Sequence, residues 1–498
     1  MFKNKVFVFS LIIVAIFVFV GVIDPELLNR ISTTLHGAII AHFGWAYMLS
    51  GFFFLAFCLV LAFSKFGSIK LGKDHEKPVY TYFGWFSMLF AAGMGIGLIF
   101  WGVAEPMSHF MDPPEHIDPQ TGQAATFGMR YSFFHWGLHP WAIYIVMSLS
   151  IAYFSFRRGM PPLISSCFYP MLGNRIYGPW GYFIDILAVF ATIFGIATSL
   201  GLGAMQINSG LEHLYGVPVS NTSTLVIIFV TTLLFMFSAT VGLDKGIQTL
   251  SKTNIFLASL LLLFMLVFGP TSYIFNVFTD TIGGYMGNVL EMSLAVNPFL
   301  GHDWYKSWTV FYWAWWIAWS PFVGIFVARI SRGRTIREFV FGALLVPVLL
   351  TFVWFSVFGG ASLYLELEQG AGIGLAVKED VSTALFIVFE HFPGTIILSN
   401  VAILLLVVFF VTSADSATFV LGIMTSEGSP NPSLSKKITW GITQSSVAAI
   451  LLVSGGLAAL QQMAIAAALP FNFVLLLMCY NLWRGLSSEP GEALLKRY

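Results

Sequence analysis

Apolar residues form long runs along the whole chain, and short polar stretches separate them. Many of these runs reach the ~20 residues that a helix needs to cross a bilayer. The pattern therefore predicts an all-α polytopic membrane protein with twelve transmembrane helices. The predicted spans are 5–23, 44–64, 82–108, 131–156, 180–210, 222–243, 253–276, 306–330, 336–363, 394–425, 435–459 and 463–484. Segment 280–297 is too polar to span, and we expect a helix lying at the membrane surface there.

Lysine and arginine are distributed unevenly across this predicted topology. Of the 24 such residues, twenty fall on the side that carries the N-terminus and four on the other. Cytoplasmic loops are enriched in these two residues, so both termini are expected in the cytoplasm. The apolar run that follows Met1–Lys5 has no small-residue cleavage site, and we interpret it as an uncleaved first span.

Composition narrows the class further. The chain is 57% hydrophobic and only 10% charged, against roughly 25% charged residues in an ordinary soluble domain. There is no room for a large soluble domain, and the zero net charge without a basic block excludes nucleic-acid binding. Cys58, Cys167 and Cys479 are far apart, so the sequence indicates neither a disulfide framework nor a cysteine metal centre.

Tryptophan is concentrated at the start of the eighth predicted span. Segment 308–321 holds five of the fifteen tryptophans. On a helix, Tyr312, Trp315, Trp316 and Trp319 share one face. Tryptophan rings attract cations, and aromatic cages are a recurrent way of binding quaternary ammonium groups. An interfacial aromatic belt is the alternative, but a belt places rings at the ends of a span and not in its middle.

Two predicted spans contain helix-breaking residues. Gly93, Gly95 and Gly97 alternate within the third span, and Ser320-Pro321 follows the tryptophans in the eighth. Both positions are expected to kink or break a helix, although small residues in a span also serve helix packing. If the first two spans are peripheral, spans 3–7 and 8–12 form two halves that each open with an interrupted helix. Such matched interruptions indicate a transporter binding site.

The tenth span offers hydroxyl oxygens in an apolar setting. Thr412 and Ser413 are adjacent, and with carbonyls freed by the glycine break they provide the hard oxygen ligands that an alkali cation prefers. Taken alone, such a pair is usually bonded to its own backbone. Asp415 has either a functional role or a structural one, bracing a neighbouring helix. The fifth span adds weaker hydroxyl candidates, which are Thr192, Thr198 and Ser199.

The fourth span supplies a second group of rings. Trp136, Trp141 and Tyr144 lie within an arc of about 140° on a helix and could close a box with the tryptophans of the eighth span. His135 and His139 flank Trp136. Because no further ligands cluster with them in the sequence, we favour packing or hydrogen bonding over a metal site.

With these motifs in place, the chain resembles the betaine/choline/carnitine transporter family over essentially its whole length. The segments that carry the resemblance are Gly93–Gly97 with Glu105-Pro106, the tryptophan run with Ser320-Pro321, Ala328–Arg337 and Phe410–Ser416. It is most similar to the sodium-coupled glycine betaine transporters of bacteria. The resemblance implies the inverted-repeat fold of the leucine-transporter type, five plus five helices with two added at the N-terminus. It also implies a homotrimer in the lipid of the bacterial plasma membrane.

The resemblance also implies site residues. The family's aromatic box falls on Trp136, Trp141, Tyr144 and Trp316, with Trp315 and Trp319 on the cytoplasm-facing side of the pathway and the backbone of Gly93, Met94, Gly95 and Gly97 close to the substrate. The main sodium site falls on the carbonyls of Ala91, Met94 and Phe409 and the hydroxyls of Thr412 and Ser413. A second sodium site would involve Phe322 and a hydroxyl of the fifth span, for which we name Thr198 and Ser199.

Family patterns bear on the substrate and the coupling ion. Choline-preferring members tend to carry an acid at the position of Gly97, and sodium-independent exchangers carry a positive side chain where sodium would sit. Here the glycine is present, and the fifth span has no lysine or arginine between Ile186 and Gly210. We expect a sodium symporter for glycine betaine or a related methylated zwitterion. A sodium-independent exchanger or a proton-coupled carrier for choline or carnitine is the alternative, ahead of a channel or a membrane enzyme.

The expected organisation has five parts. These are two peripheral N-terminal transmembrane helices (1–80), a first repeat of spans 3–7 (81–278), an extracellular-side amphipathic helix (279–305), a second repeat of spans 8–12 (306–485) and a short cytoplasmic tail (486–498). Osmosensing members of the family carry a long charged tail. The short segment after Leu486 therefore makes strong osmotic gating through such a tail unexpected.

Overall fold

The protein is helical throughout the part that the structure describes. The computed structural model describes residues 4–93, 95–241, 244–298 and 304–489, and leaves aside the side chains of 90–93, 240–241 and 244–249. The first helices in chain order are α1 (Lys5–Ile23), α2 (Pro25–Phe63), α3 (Tyr82–Gly93), α4 (Ile96–Met111), α5 (Gly122–Trp136), α6 (Leu138–Ala152), α7 (Tyr169–Leu172), α8 (Pro179–Tyr215) and α9 (Asn221–Val241). They are followed by α10 (Asp244–Phe268), α11 (Thr271–Leu294), α12 (Trp304–Ser307), α13 (Thr309–Ile330), α14 (Ile336–Gln369), α15 (Ile373–Glu379), α16 (Ala384–Glu390), α17 (Thr395–Met424) and α18 (Leu434–Ser487).

Ten helical stretches among these residues are long and apolar enough to cross a membrane. The predicted third span is not one of them, because it is divided into α3 and α4. The predicted eleventh and twelfth spans run together as α18, which is interrupted by non-helical backbone at Gly455 and Gly456. We expected this division at residues 460–462. It lies at Gly456 because the backbone there has a φ of 60°, which a glycine adopts without steric cost.

The glycine break in the third predicted span is present. Helix α3 ends at Gly93 and α4 begins at Ile96, while Gly95 between them is extended, with a φ of −156° and a ψ of −150°. Met94 lies outside the described residues. The last carbonyls of α3 and the first amides of α4 therefore face the same gap, as helix termini do when a helix is interrupted.

The expected break at Pro321 is wrong, because α13 continues as a helix from Thr309 to Ile330. Proline lacks the N–H that would bond the carbonyl four residues earlier, which here is Ile317. The hydroxyl of Ser320 donates to that carbonyl at 2.8 Å instead. The side chain before the proline thus supplies the missing donor, and the helix persists.

Helix α13 lies in the centre of the molecule. Every residue from Thr309 to Ile325 is buried, and the helix packs against α6, α8 and α18. Helix α1 packs against α8 and α18, and α2 packs against α6 and α18. Helix α11 covers part of the segment expected at the membrane surface, but it begins earlier, at Thr271, and packs against α5 and α14.

Candidate substrate cage and cation site

The aromatic residues of α13 form one continuous face, as the sequence predicted. The rings of Trp315 and Trp316 are stacked, with centroids 4.6 Å apart and planes inclined by 16°. Trp319 continues the stack, 6.2 Å from Trp315 and 6.3 Å from Trp316. Tyr312 lies 6.0 Å from Trp316 on the other side. All four side chains are buried, so this face is an internal wall and not an interfacial belt.

A second set of rings stands perpendicular to this wall. Trp136 lies 4.9 Å from Trp316 at an angle of 74°, and Tyr144 lies 6.2 Å from Trp316 at 79°. Trp141 lies 5.7 Å from Tyr144 at 90°. The structure therefore brings together the two ring groups that the sequence placed on separate spans. We call Trp136, Trp141, Tyr144 and Trp316 the aromatic cage.

The fourth predicted span is not one continuous helix. Trp136 is the last residue of α5, Gly137 leaves the helical region, and Trp141 and Tyr144 belong to α6. A Cβ on Gly137 would lie 2.4 Å from the carbonyl of Phe133, so only a glycine fits this turn without displacement. The break separates Trp136 from the other two rings of the cage, so the three rings do not share one helical arc as the sequence predicted.

Two polar atoms at the cage are buried and have no hydrogen-bond partner among the described residues. They are the hydroxyl of Tyr144 and the Nε1 of Trp319, whose rings lie 6.4 Å apart. A buried donor without an acceptor costs about 1–3 kcal/mol. A ligand that carries a hydrogen-bond acceptor would remove this cost. If the same ligand also carries a cation, the faces of the rings can bind that cation.

Gly97 touches two rings of this region. A Cβ at this position would lie 2.5 Å from Cη2 of Trp315 and 2.9 Å from Cη2 of Trp136. The absence of a side chain in the first turn of α4 thus lets the broken helix approach the aromatic wall. A Cβ on Gly95 would lie 3.9 Å from both Oγ of Ser413 and Cη2 of Trp319. The glycine break therefore adjoins both the rings and the hydroxyls of α17.

The hydroxyls of α17 are placed beside this break. Thr412 is buried, and its hydroxyl lies 2.9 Å from the carbonyl of Val408 and 3.2 Å from that of Phe409. It also accepts a 3.1 Å hydrogen bond from the amide of Asn254 on α10. Ser413 faces Gly95, as noted above. Of the other predicted ligands, Ala91 lies in the last turn of α3, where carbonyls lack intrahelical donors.

Asp415 is hydrogen-bonded to a neighbouring helix, as its structural interpretation expected. The hydroxyl of Ser238 on α9 donates to its Oδ2 at 2.9 Å. The bond joins α9 to α17, next to the link between Asn254 and Thr412.

The hydroxyls of the fifth predicted span are buried in α8. Thr198 lies 2.9 Å from the carbonyl of Phe194 and 3.4 Å from that of Leu460 on α18. Ser199 lies 3.5 Å from the carbonyl of Gly195. Phe322 stacks on Trp319 with centroids 5.8 Å apart. Thr198 and Ser199 bond carbonyls of their own helix, so their hydroxyl protons are already used.

Sequence reasoning missed a buried polar cluster around Glu105. One carboxylate oxygen, Oε1, lies 2.6 Å from Nδ1 of His135 and 3.3 Å from Nε2 of His109. The other, Oε2, lies 2.7 Å from Nε1 of Trp136 and 2.5 Å from the hydroxyl of Tyr312. The predicted hydrogen bonding of His135 is confirmed, but the partners Glu105 and His109 that gather beside it were not expected. An acid in an apolar span with a histidine four residues later was the available signal.

Glu105, His109 and His135 also form a group in which three ligand atoms lie within 4.8 Å of one another. Their closest separation, 2.6 Å between Glu105 and His135, is a hydrogen-bond length. Two ligands of a tetrahedral zinc at ~2.0–2.1 Å would lie ~3.3 Å apart. The arrangement described here is that of a hydrogen-bonded network.

Comparison with known proteins agrees with this architecture. The model of the betaine/carnitine/choline family of transporters matches residues 5–491. The chain is 53% identical over 491 residues to the glycine betaine transporter OpuD of Bacillus subtilis, covering 98% of this chain and 95% of that protein. It is 45% identical to a probable glycine betaine transporter of Desulfitobacterium hafniense, covering 98% of each chain. It is 44% identical to an ectoine/hydroxyectoine transporter of Virgibacillus pantothenticus, covering 99% and 98%.

Proposed function

Because the chain belongs to the betaine/carnitine/choline family of transporters, we propose that it imports glycine betaine or a closely related methylated zwitterion by sodium symport. The family consists of transporters, so the chain is a transporter and not an enzyme. Two relatives named as glycine betaine transporters match almost the full length of the chain, which supports a small osmoprotectant as the substrate.

The observation that carries the proposal is the perpendicular arrangement of buried rings in the aromatic cage. Trp136 and Tyr144 both stand nearly edge-on to Trp316, at 74° and 79°. Rings in different planes can present several faces to one trimethylammonium group, and each desolvated cation–π contact contributes up to about 2 kcal/mol. The unpartnered hydroxyl of Tyr144 and the indole N–H of Trp319 are donors suited to the carboxylate of a zwitterion.

For the coupling ion we propose sodium, held between α3 and α17. The ligands would be the carbonyls of Ala91, Met94 and Phe409 with the hydroxyls of Thr412 and Ser413. Such a set of uncharged hard oxygens suits an alkali cation better than a transition metal. The position of Ser413 beside Gly95 supports this assignment. We also propose a second sodium near Phe322, with a lone pair of the Thr198 or Ser199 hydroxyl as ligand, since the protons of both hydroxyls bond helix carbonyls.

The proposed architecture has twelve crossings with alternating access between two repeats. Counting α3 with α4 as one interrupted span, and dividing α18 at Gly455–Gly456, raises the ten candidate spans to twelve. Under this proposal α3–α10 and α13–α18 are the two repeats, both termini are cytoplasmic, and the transporter forms a homotrimer in the bacterial plasma membrane. The uneven lysine and arginine distribution supports the orientation.

The test is uptake into proteoliposomes that contain the purified protein. Labelled glycine betaine should accumulate when a sodium gradient points inward, and not when potassium replaces sodium or when only a proton gradient is present. Unlabelled choline, carnitine and ectoine added as competitors rank the alternatives, ectoine because one relative is named for it. Equal uptake without sodium would reject the symport, and exchange only against preloaded substrate would favour a sodium-independent exchanger.

A further inference from the structure

The geometry points to Glu105 as a positioning residue that fixes the aromatic cage and supplies a negative charge behind it for the cationic end of the substrate. This inference rests on the proposed function, because it concerns the same cage. It goes further in naming a residue outside the ring set and the ion ligands, and in assigning it an electrostatic role.

The Glu105 carboxylate lies within hydrogen-bonding distance of four other side chains. Trp136, Tyr312, His135 and His109 lie 2.5–3.3 Å from its two oxygens, and all five side chains are fully buried or nearly so. An indole N–H only donates hydrogen bonds, and an ionised carboxylate only accepts them. The Tyr312 hydroxyl and an N–H of each imidazole can donate as well, so an ionised carboxylate can accept up to four hydrogen bonds here, and we take Glu105 to be ionised.

His135 connects Glu105 to Thr309 through its two ring nitrogens. Its Nδ1 faces Glu105, and its Nε2 lies 2.9 Å from the hydroxyl of Thr309. When Thr309 donates to Nε2, the imidazole is neutral and carries its proton on Nδ1. With both imidazoles neutral, neither ring cancels the charge of an ionised Glu105, and the cluster then carries a net negative charge in a region of low dielectric, where charges act over longer distances.

Two hydrogen bonds connect Glu105 and His135 to the aromatic cage. Glu105 bonds Trp136 directly, and the carbonyl of His135 accepts a 3.0 Å hydrogen bond from Nε1 of Trp316. Two perpendicular rings of the cage are thus held by adjacent members of one network. A hydrogen bond from an indole N–H to an anionic acceptor polarises the ring and increases the negative charge on its face, which strengthens its attraction for a cation.

The experiment compares glycine betaine with its carbon isostere, 3,3-dimethylbutanoate, as competitors of labelled betaine uptake in proteoliposomes. The isostere has the same shape and carboxylate but no cationic nitrogen. In Glu105→Gln we expect the half-inhibitory concentration of betaine to rise by at least about tenfold, while that of the isostere changes by less than about threefold. Glu105→Asp retains the charge and should recover part of the betaine affinity.

A purely structural role of Glu105 would weaken both competitors equally and would make Glu105→Asp no better than Glu105→Gln; either result overturns the electrostatic inference. Unchanged betaine affinity in Glu105→Gln overturns the positioning role as well. Should Glu105→Gln fail to fold, Trp136→Phe and Trp141→Phe replace it, because of these two tryptophans Trp136 is the one that bonds Glu105. Trp136→Phe must then lose more betaine affinity than Trp141→Phe. Failure of the wild type to transport betaine would instead reject the proposed function.

Discussion

The side-chain amide of Asn254 donates a 3.1 Å hydrogen bond to the hydroxyl of Thr412 and so connects α10 to the helix that carries the proposed sodium ligands. The Thr412 hydroxyl has one proton, directed at carbonyls of its own helix, and two lone pairs. One lone pair accepts the amide, and the other remains for an ion. An ion bound there would connect α3, α10 and α17, and substrate and sodium would then tighten each other's binding.

This relationship makes the sodium dependence of uptake testable at Thr412. Thr412→Ala and Ser413→Ala each remove one proposed ligand, and we expect the sodium concentration for half-maximal uptake to rise by about tenfold, equivalent to ~1.4 kcal/mol. Thr412→Ser keeps the hydroxyl and is the matched control. A sodium titration of betaine uptake measures the effect. An unaltered titration curve in both alanine variants would remove the sodium site as placed.

The aromatic cage predicts a severe loss of uptake in Trp316→Leu. Losing one desolvated cation–π contact of ~2 kcal/mol should raise the KM for betaine by tenfold or more. Trp313→Leu is the control, because Trp313 is an equally buried tryptophan of α13 that stacks on His139, 5.1 Å away. It should lower the amount of folded protein without a comparable change in KM. Wild-type kinetics in Trp316→Leu would contradict the cage.

A carboxylate introduced at Gly97 should change the substrate preference of the transporter. Gly97→Asp should shift the ratio of betaine to choline uptake toward choline, because a buried carboxylate attracts a net cation and repels the carboxylate of a zwitterion. Any side chain here also meets Trp315 and Trp136 at 2.5 and 2.9 Å. Gly97→Ala separates the two effects, since it should reduce uptake of both substrates and leave their ratio unchanged. A ratio in Gly97→Asp that equals that of Gly97→Ala would argue against a charge effect.

Because α13 continues through Pro321, we expect substitutions at Ser320 and Pro321 to have non-additive effects on the free energy of unfolding. Ser320→Ala removes the hydroxyl that bonds the Ile317 carbonyl, and we expect a loss of about 1–3 kcal/mol in the free energy of unfolding. Pro321→Ala restores a backbone N–H to the same carbonyl. In the Ser320→Ala/Pro321→Ala variant much of the loss should therefore be recovered. Thermal unfolding in detergent of the two single variants and the double variant checks this, and strictly additive shifts would refute the compensation.

A surface ion pair joins the loop after α2 to the loop after α13. Arg332 bonds Glu76 through two parallel contacts of 2.8 and 2.9 Å. The hydrogen bond from Arg332 lowers the pKa of Glu76 below its ordinary value of 4.5. A carboxyl group with a lowered pKa stabilises the fold fully above its unfolded-state pKa, and this contribution is lost as the pH falls through the folded-state value.

We therefore expect Glu76→Gln to reduce the difference in thermal stability between pH 7 and acid below pH 4.5. The effect is at most about 1 kcal/mol, because both groups are partly exposed and water screens them. Arg332→Lys should lose part of the stabilisation at neutral pH, since lysine cannot form two parallel contacts. Arg329→Lys, at an exposed position of α13, is the control. A pH dependence in Glu76→Gln identical to that of the wild type would count against the pair.

The prediction of a helix break at Pro321 failed because it used only the rule that proline lacks a backbone N–H. The rule correctly identified a missing donor, but a neighbouring hydroxyl supplied it. The break at Gly93–Gly95 was predicted correctly because glycines at alternate positions weaken a helix. Gly137 was missed because an isolated glycine is compatible with a continuous helix, whereas here the amide of Leu138 that follows it donates a 3.2 Å hydrogen bond to the distant hydroxyl of Tyr285.

The sequence by itself determined the helical class, most of the spans, the shared face of Tyr312, Trp315, Trp316 and Trp319, and the break in the third span. These follow from apolar periodicity and backbone propensity, which act over a few residues. Only the tertiary structure decided which groups meet: Glu105 bonds His135 and Tyr312, which lie 30 and 207 residues further along the chain. No local pattern encodes such a meeting, because it arises when α4, α5 and α13 pack and each buried polar group must find a partner.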